Sequence, residues 1–321
     1  MIKGKKIFIT GATGFIGSNL CKRLIEDNEI VAYDNGRRDA LKFTGLIGHK
    51  NLKVVKGDIL DEEMLRKSIE GCNIVIHLAA MAGVHSYFEQ PVKTMEVNAI
   101  GTYNVLKAAQ SLKGLELFIN FATSEMYGVN ASNVKETDET KQGPAGDFRF
   151  TYSVSKLAAE HICFAFAKQF GIPMISLRPF NIYGPGQVGE GAIQIFARKA
   201  IKDEDLIVTG DGSTTRAWCY IDDMVDAIIL CIEKRDTAKG NLFNIGNPDT
   251  VVTTLELAKK IVSISSSKSK IKFEPHHGTD IKDRSPVISK AKEILGYSPK
   301  VGLDEGIKMS IEWYKNNAEE L

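Results

Sequence analysis

Short apolar runs recur along the first half of the chain, each of strand length and each followed by a longer stretch with helical spacing. The runs are Lys6–Thr10, 30–33, Leu52–Lys56, 74–78, 117–122 and 174–178. Between them 17–27, 61–69, 92–111 and 153–170 read as helices. The second opens on Asp61-Glu62-Glu63 and has its stop at Gly71. Strand and helix alternating over short connections predict a parallel sheet covered on both faces. Right-handed crossovers then put the carboxyl ends of the strands on one edge, where a ligand crevice is expected.

After about residue 180 the texture changes, with Gly184, Pro185, Gly186, Gly189 and Gly191 close together. Shorter elements follow: a strand at Leu206–Thr209, a turn at Gly210-Asp211-Gly212, helices over 222–233 and 254–263, a polar surface loop over 263–270, and a last helix over 303–317. The organisation expected is a first unit over 1–180 and a smaller α/β unit over 181–321 that caps the crevice and interleaves with the first.

The first strand ends in Thr10-Gly11-Ala12-Thr13-Gly14-Phe15-Ile16-Gly17. Gly11 permits a tight turn, Gly14 lets backbone approach a pyrophosphate, and Gly17 lets the next helix pack closely on the strand. The free N–H groups and positive dipole end of that helix face the phosphates. The spacing is one residue longer than the usual dinucleotide fingerprint. The following strand ends on Asp34, and a carboxylate about twenty residues past the glycines can accept from the adenosine ribose hydroxyls. It would repel a 2′-phosphate, which favours NAD over NADP, although Arg37 and Arg38 stand close by. Together these features predict an α/β fold of the Rossmann type, a doubly wound parallel sheet with a smaller carboxyl-terminal substrate-binding region.

Composition narrows the field. The chain has 321 residues, 43% hydrophobic and 25% charged, with a formal net charge of +1. No global field attracts nucleic acid or an anionic membrane, so an anionic ligand must be held locally. No stretch has the apolar length of a membrane span, and Lys3-Gly4-Lys5-Lys6 leads directly into a core strand, unlike a signal peptide. A cytoplasmic protein is expected. Cysteines 21, 72, 163, 219 and 231 are scattered and read as small core residues in a reducing compartment. The six histidines show no metal spacing, and no metal site is expected.

A second constellation is Tyr152-Ser153-Val154-Ser155-Lys156. Positions four apart share a helix face, so Lys156 lies one turn from Tyr152. An ammonium beside a phenol favours the phenolate and turns the tyrosine into a base for a hydroxyl proton. At the end of the 117–122 strand stand Thr123, Ser124 and Glu125, two hydroxyls and a carboxylate placed to hydrogen-bond a polyol.

In order along the chain, Gly11–Gly17, Asp34, Asp58-Ile59, Leu78-Ala79-Ala80, Asn98, Thr123-Ser124-Glu125, Tyr152/Lys156 and Arg178-Pro179-Phe180-Asn181 resemble extended short-chain dehydrogenases, and more narrowly the NAD-dependent nucleotide-sugar epimerase/dehydratase family. The resemblance runs nearly end to end and includes 210–223 and 283–296. It implies a tightly held NAD that oxidises a UDP-type sugar at C4. Tyr152 would be the base on the C4 hydroxyl, Lys156 would bind the nicotinamide ribose, and Thr123 would hydrogen-bond the reacting oxygen. The cofactor would also meet Thr13, Phe15 and Ile16 in the loop, Asn35 beside Asp34, Asp58 and Ile59 around the adenine, Leu78 to Ala80, Asn98 and Pro179. Asn181 and Arg216 would hold the substrate diphosphate, a role that suits a guanidinium, with His277 and Asp280 also toward the nucleotide. Homodimers through a helix bundle are usual in such proteins, and the helices over 92–111 and 153–170 could form one.

A ketone at C4 acidifies C5–H, and Glu125 is placed as the carboxylate that removes it and expels the C6 hydroxyl. The Thr-Ser-Glu triplet is similar to that of some 4,6-dehydratases and of glucuronate decarboxylases. The expected order is therefore 4,6-dehydration, then 4-epimerisation, then decarboxylation. Two departures stand out. Dehydratases of the dTDP-glucose type carry Asp where Ser124 stands, and members handling glucuronate commonly have Arg where Gly186 follows Tyr-Gly-Pro. His277 stands where epimerases often have a nucleotide-binding Arg. A different class, a dinucleotide-binding sensor or scaffold without turnover, would typically have lost the tyrosine or lysine that this chain keeps.

Overall fold

The structure, a computed structural model, describes residues 2–275, 279 and 281–319. A seven-stranded parallel sheet forms its centre. Its order is Leu242–Ile245, Met174–Pro179, Leu117–Phe121, Ile74–His77, Lys6–Thr10, Glu29–Asp34 and Leu52–Lys56. The chain reverses direction of travel across the sheet after the first three strands, so the crevice opens between the strand ends at Thr10 and His77. Helices Phe15–Leu24, Glu62–Ser68, Gly101–Gln110 and Thr151–Phe170 cover the faces. The middle strands Ile74–His77 and Leu117–Phe121 are buried throughout, as continuous apolar runs require.

Six of the seven strands coincide with the apolar runs. Leu242–Ile245 does not, because Asn244 interrupts a run of only four residues. That asparagine is fully satisfied: its amide accepts from Tyr127 Oη at 2.8 Å and donates to Val134 O at 2.9 Å, while its backbone N–H meets Glu136 at 2.9 Å. Tyr127 in turn receives Arg178 Nη1 at 2.7 Å, and Arg178 pairs with Glu160, Nη2 to Oε2 at 2.5 Å. Ser176 Oγ also donates to Glu160 at 2.8 Å. Both charges are buried, so the pair survives only with every partner in place. Glu160→Ala should lower stability by about 3–5 kcal/mol, the cost of stranding a buried guanidinium, read as a drop in denaturant midpoint at unchanged slope.

The stretch expected as one helix over 92–111 is Pro91–Met95, a π turn at Glu96–Ile100, and Gly101–Gln110. The wider turn carries Asn98 inward, where its amide donates to Met81 O (3.1 Å) and Ser155 Oγ (2.9 Å) and accepts from Met81 N (2.7 Å).

The smaller unit is not severed cleanly from the first. Its four-stranded sheet runs Val252–Thr253, Thr215–Arg216, Asp283–Pro286 and Asn130–Val134, and the last of these strands comes from the first half of the chain. In return, Leu242–Ile245 completes the large sheet. Helices Ala192–Ile201, Thr254–Ser265 and Leu303–Asn316 pack on one another, and Ile221–Glu233 packs on Phe15–Leu24 of the first unit. The first of these lay in the Gly- and Pro-rich texture after 180 and was not expected. All five cysteines are free and buried. No helix among the described residues is long and apolar enough to cross a membrane.

Candidate active site

The turn after the first strand forms because Gly11 takes φ +69°, and a Cβ there would fall 2.7 Å from Ala79 N. A Cβ on Gly17 would lie 2.4 Å from Gly11 O, so only glycine lets the Phe15–Leu24 helix sit against the turn. Gly14 differs: a Cβ would meet nothing nearer than Gly11 O at 3.3 Å. That contact is tight but short of a clash, so the chain constrains Gly14 less than Gly11 or Gly17, which fits a position where a ligand approaches. Asp34 is fixed at its strand end, accepting Thr13 N–H at 3.1 Å and Gly36 N–H at 2.8 Å.

A cleft of about 430 Å³ opens along this edge of the sheet. Gly11, Gly14, Phe15, Ile16 and Gly17 form its floor, and Asp34 and Asn35 one end, with Asp58 and Ile59 beside them. Leu78, Ala79 and Ala80 make one wall, and Tyr152, Lys156 and Pro179 the far end. Thr13 and Asn98 stand behind the lining: Thr13 orients Asp34, and Asn98 ties the 78–82 loop to the tyrosine-bearing helix. Arg37 donates to Ser86 Oγ (2.8 Å) and Arg38 to Ala82 O (3.1 Å), so both arginines hold the loop across the mouth. Glycine floor, strand-end carboxylate and helix N-terminus fit an NAD.

At the far end, Tyr152 and Lys156 lie one turn apart on Thr151–Phe170. Thr123 caps the Ser124–Tyr127 turn at the end of Leu117–Phe121, accepting Glu125 N–H at 3.2 Å, and its hydroxyl lies on the side of the Tyr152 phenol. Burial, with the Glu125 carboxylate, pushes the Tyr152 phenol above its usual value; the Thr123 hydroxyl and Arg284 work against them. The net direction is opposite to that expected from the Lys156 ammonium alone. Burial also pulls the Lys156 amine down, to about 8.

Glu125 is not a lone carboxylate. Arg149 Nη1 lies 3.1 Å from its Oε2 and Arg284 Nη1 3.4 Å from its Oε1. Burial works to raise its pKa, but the two guanidiniums outweigh it and hold the carboxyl below the usual range. Ser124 is buried beside it. Arg284 is 4% exposed, and its Nε and Nη2 have no hydrogen-bond partner among the described residues. Sequence reasoning missed both arginines. Arg149 stands three residues before Tyr152, and Arg284 lies in the 283–296 stretch that carried the resemblance without a role. Only the pairing of Asp283–Pro286 with Asn130–Val134, Arg284 opposite Ala131, brings the second beside Glu125.

The proposed diphosphate ligands are occupied with the chain itself. Asn181, at φ +39°, donates to Ala217 O at 2.8 Å. Arg216 reaches the carbonyls of Thr215 (2.7 Å), Ile281 (2.7 Å) and Lys282 (3.1 Å). His277 and Asp280 lie outside the described residues. Among the described residues, no group of three or more His, Cys, Asp or Glu side chains could hold a metal ion.

Comparison with known proteins agrees with this geometry. The family model described as "NAD dependent epimerase/dehydratase family" matches residues 7–246. A UDP-N-acetyl-α-D-glucosaminuronate decarboxylase of Bacillus cytotoxicus is 34% identical over 97% of this chain and 98% of its own. UDP-glucuronic acid decarboxylase 3 of Arabidopsis thaliana is 35% identical, over 97% of this chain and 89% of its own. Among solved structures, UDP-glucuronic acid 4-epimerase from Bacillus cereus, in complex with UDP-glucuronic acid and NAD, superposes with a TM-score of 0.88. It is 31% identical and covers 97% of this chain and 99% of that one. The chain belongs to the NAD-dependent epimerase/dehydratase family of nucleotide-sugar enzymes.

Proposed function

We propose that this enzyme is a decarboxylase of UDP-linked hexuronic acids, working through transient oxidation at C4. The observation that carries the reading is Arg284, a buried guanidinium with two unpartnered nitrogens beside the Tyr152–Thr123 pair. Leaving a buried donor unmade costs about 1–3 kcal/mol, which a carboxylate taking both N–H groups would return. It supplies the partner for a substrate carboxylate that Gly186 does not. The named activities of the Bacillus and Arabidopsis relatives support the same substrate class.

NAD held over Gly11–Gly17, with Asp34 and Lys156 toward its riboses, would supply the acceptor for the C4 hydride and the donor for its return. Tyr152 removes the C4 hydroxyl proton, with the Thr123 hydroxyl beside the phenol and Lys156 one turn below, toward the nicotinamide ribose. The C6 carboxylate is then β to a ketone. When the C5–C6 bond breaks, CO₂ leaves and its electron pair passes into an enolate, whose C4 oxygen the Tyr152 and Thr123 hydroxyls stabilise. Water protonates C5 of the enolate to give the 4-keto pentose, and Tyr152 gives its proton back to the C4 oxygen as the hydride returns to C4, restoring the hydroxyl. Glu125 orients Arg284 in this scheme. The dehydration favoured by sequence has less support, because a base for C5–H is weakened by two guanidiniums.

The test is incubation with UDP-glucuronate and UDP-N-acetylglucosaminuronate. The expected products are CO₂ and the corresponding UDP-pentose. A uronate inverted at C4 with its carboxylate intact would establish the 4-epimerase reading instead, which the Bacillus cereus structure supports. Loss of the 6-hydroxyl from UDP-glucose would establish dehydration. The same proposal places the nucleotide sugar between the cleft and the 181–321 unit, and the enzyme in the cytoplasm. Two copies would pair through the exposed apolar side chains Val92, Met95, Ile100, Tyr103 and Val154 on the two long helical runs.

A further inference from the structure

Arg149 reaches Glu125 from a braced position. It lies in the Phe148–Phe150 turn immediately before the Tyr152 helix, and Asp147 caps that turn by accepting Arg149 N–H at 3.0 Å. Asp147 also accepts from Thr279 Oγ1 at 2.9 Å, tying the turn to the smaller unit. The Arg149 Nη1 that meets Glu125 Oε2 also donates to Tyr87 Oη at 2.7 Å. Its guanidinium carbon lies 5.6 Å from the centre of the Tyr87 ring, and that ring stacks on Tyr152 at 6.3 Å and 17°. Four groups therefore face Glu125: Arg149, Arg284, Tyr87 and Tyr152.

A carboxylate and a guanidinium prefer to meet as two forks, with two parallel hydrogen bonds. Glu125 and Arg284 do not: one oxygen meets one nitrogen, at 3.4 Å, because Arg149 occupies the other oxygen. We propose that Arg149, braced by Tyr87, is a positioning residue that keeps Glu125 from closing a two-pronged pair on Arg284, and so reserves Arg284 Nε and Nη2 for the substrate carboxylate. The inference rests on the decarboxylase reading and adds to it a residue-level account of how the carboxylate receptor stays open.

Without Arg149, Glu125 turns its second oxygen to Arg284 and competes with the substrate. Arg149→Met should therefore lower kcat/KM for UDP-glucuronate about a hundredfold, chiefly through KM. Reduction of bound NAD by UDP-glucose, which has no carboxylate, should change only a few-fold. Tyr87→Phe keeps the stacked ring but removes the brace, and should shift KM in the same direction by a smaller factor. The decisive variant is Arg149→Met with Glu125→Gln, since a neutral amide cannot form the competing ion pair. It should recover about tenfold of the lost kcat/KM. A double variant no better than Arg149→Met alone would overturn the inference, as would equal losses on both sugars. Wild-type enzyme that releases no CO₂ from any UDP-uronate would instead overturn the reading on which it rests.

Discussion

Tyr152→Phe is expected to stop oxidation of the sugar while the protein keeps its NAD. The substitution removes one oxygen and leaves the ring that stacks on Tyr87. The cofactor floor, built from Gly11 to Gly17 and Asp34, is untouched. What disappears is the group that takes the C4 hydroxyl proton, worth about 10²–10⁴ in rate for a positioned base. Single-turnover appearance of NADH after mixing with UDP-glucuronate measures this directly, and bound NAD is counted in the same sample. The pH dependence supplies a second sign. Burial and Glu125 push the phenol up, so the ionised form grows as pH rises and the wild-type rate should climb with it. In Tyr152→Phe that climb should vanish along with the rate. A variant that oxidises the sugar at the wild-type rate would remove Tyr152 from the chemistry.

How much of this site could be read from the chain depends on distance in sequence. Gly11 to Gly17 and Tyr152/Lys156 are local patterns, in which a turn or one helical rise fixes the geometry, and the structure gathers them along one cleft. Asp34 belongs with them because one helix, Phe15–Leu24, and one strand, Glu29–Asp34, carry the chain from the glycines back to the same edge of the sheet. Glu125 was visible as a carboxylate, but its electrostatic state was not. That state comes from Arg149, 24 residues away, and from Arg284, which arrives only through a parallel strand pairing. Neither partner has a local signature, and a lone arginine is more often a solvated side chain. The same reason hides Leu242–Ile245, whose central Asn244 reads as a loop until Tyr127, Val134 and Glu136 are placed around it. Arg216 shows what sequence cannot give: a guanidinium is a sound expectation for a diphosphate, but that its Nη groups also brace three backbone carbonyls is visible only in the fold.

Arg284→Met should separate the two halves of the reaction. A methionine keeps much of the apolar stem but offers neither charge nor fork, so the substrate carboxylate would enter a buried site with no partner. Truncating one member of a buried charge pair costs about 2–5 kcal/mol, or roughly 30- to 4,000-fold in an equilibrium or rate. That loss should fall on CO₂ release from UDP-glucuronate. Reduction of bound NAD by UDP-glucose should persist, because Tyr152, Thr123 and Lys156 remain in place and the sugar carries no carboxylate. Folding should suffer less than a buried charge substitution usually implies. The change also removes two nitrogens that have no hydrogen-bond partner among the described residues, and Glu125 keeps its 3.1 Å contact with Arg149. Arg284→Lys should fall between, since an ammonium retains the charge without the paired donors. Comparable losses on the charged and uncharged sugars would mean that Arg284 supports the cleft rather than the carboxylate, and undiminished CO₂ release would place the carboxylate elsewhere.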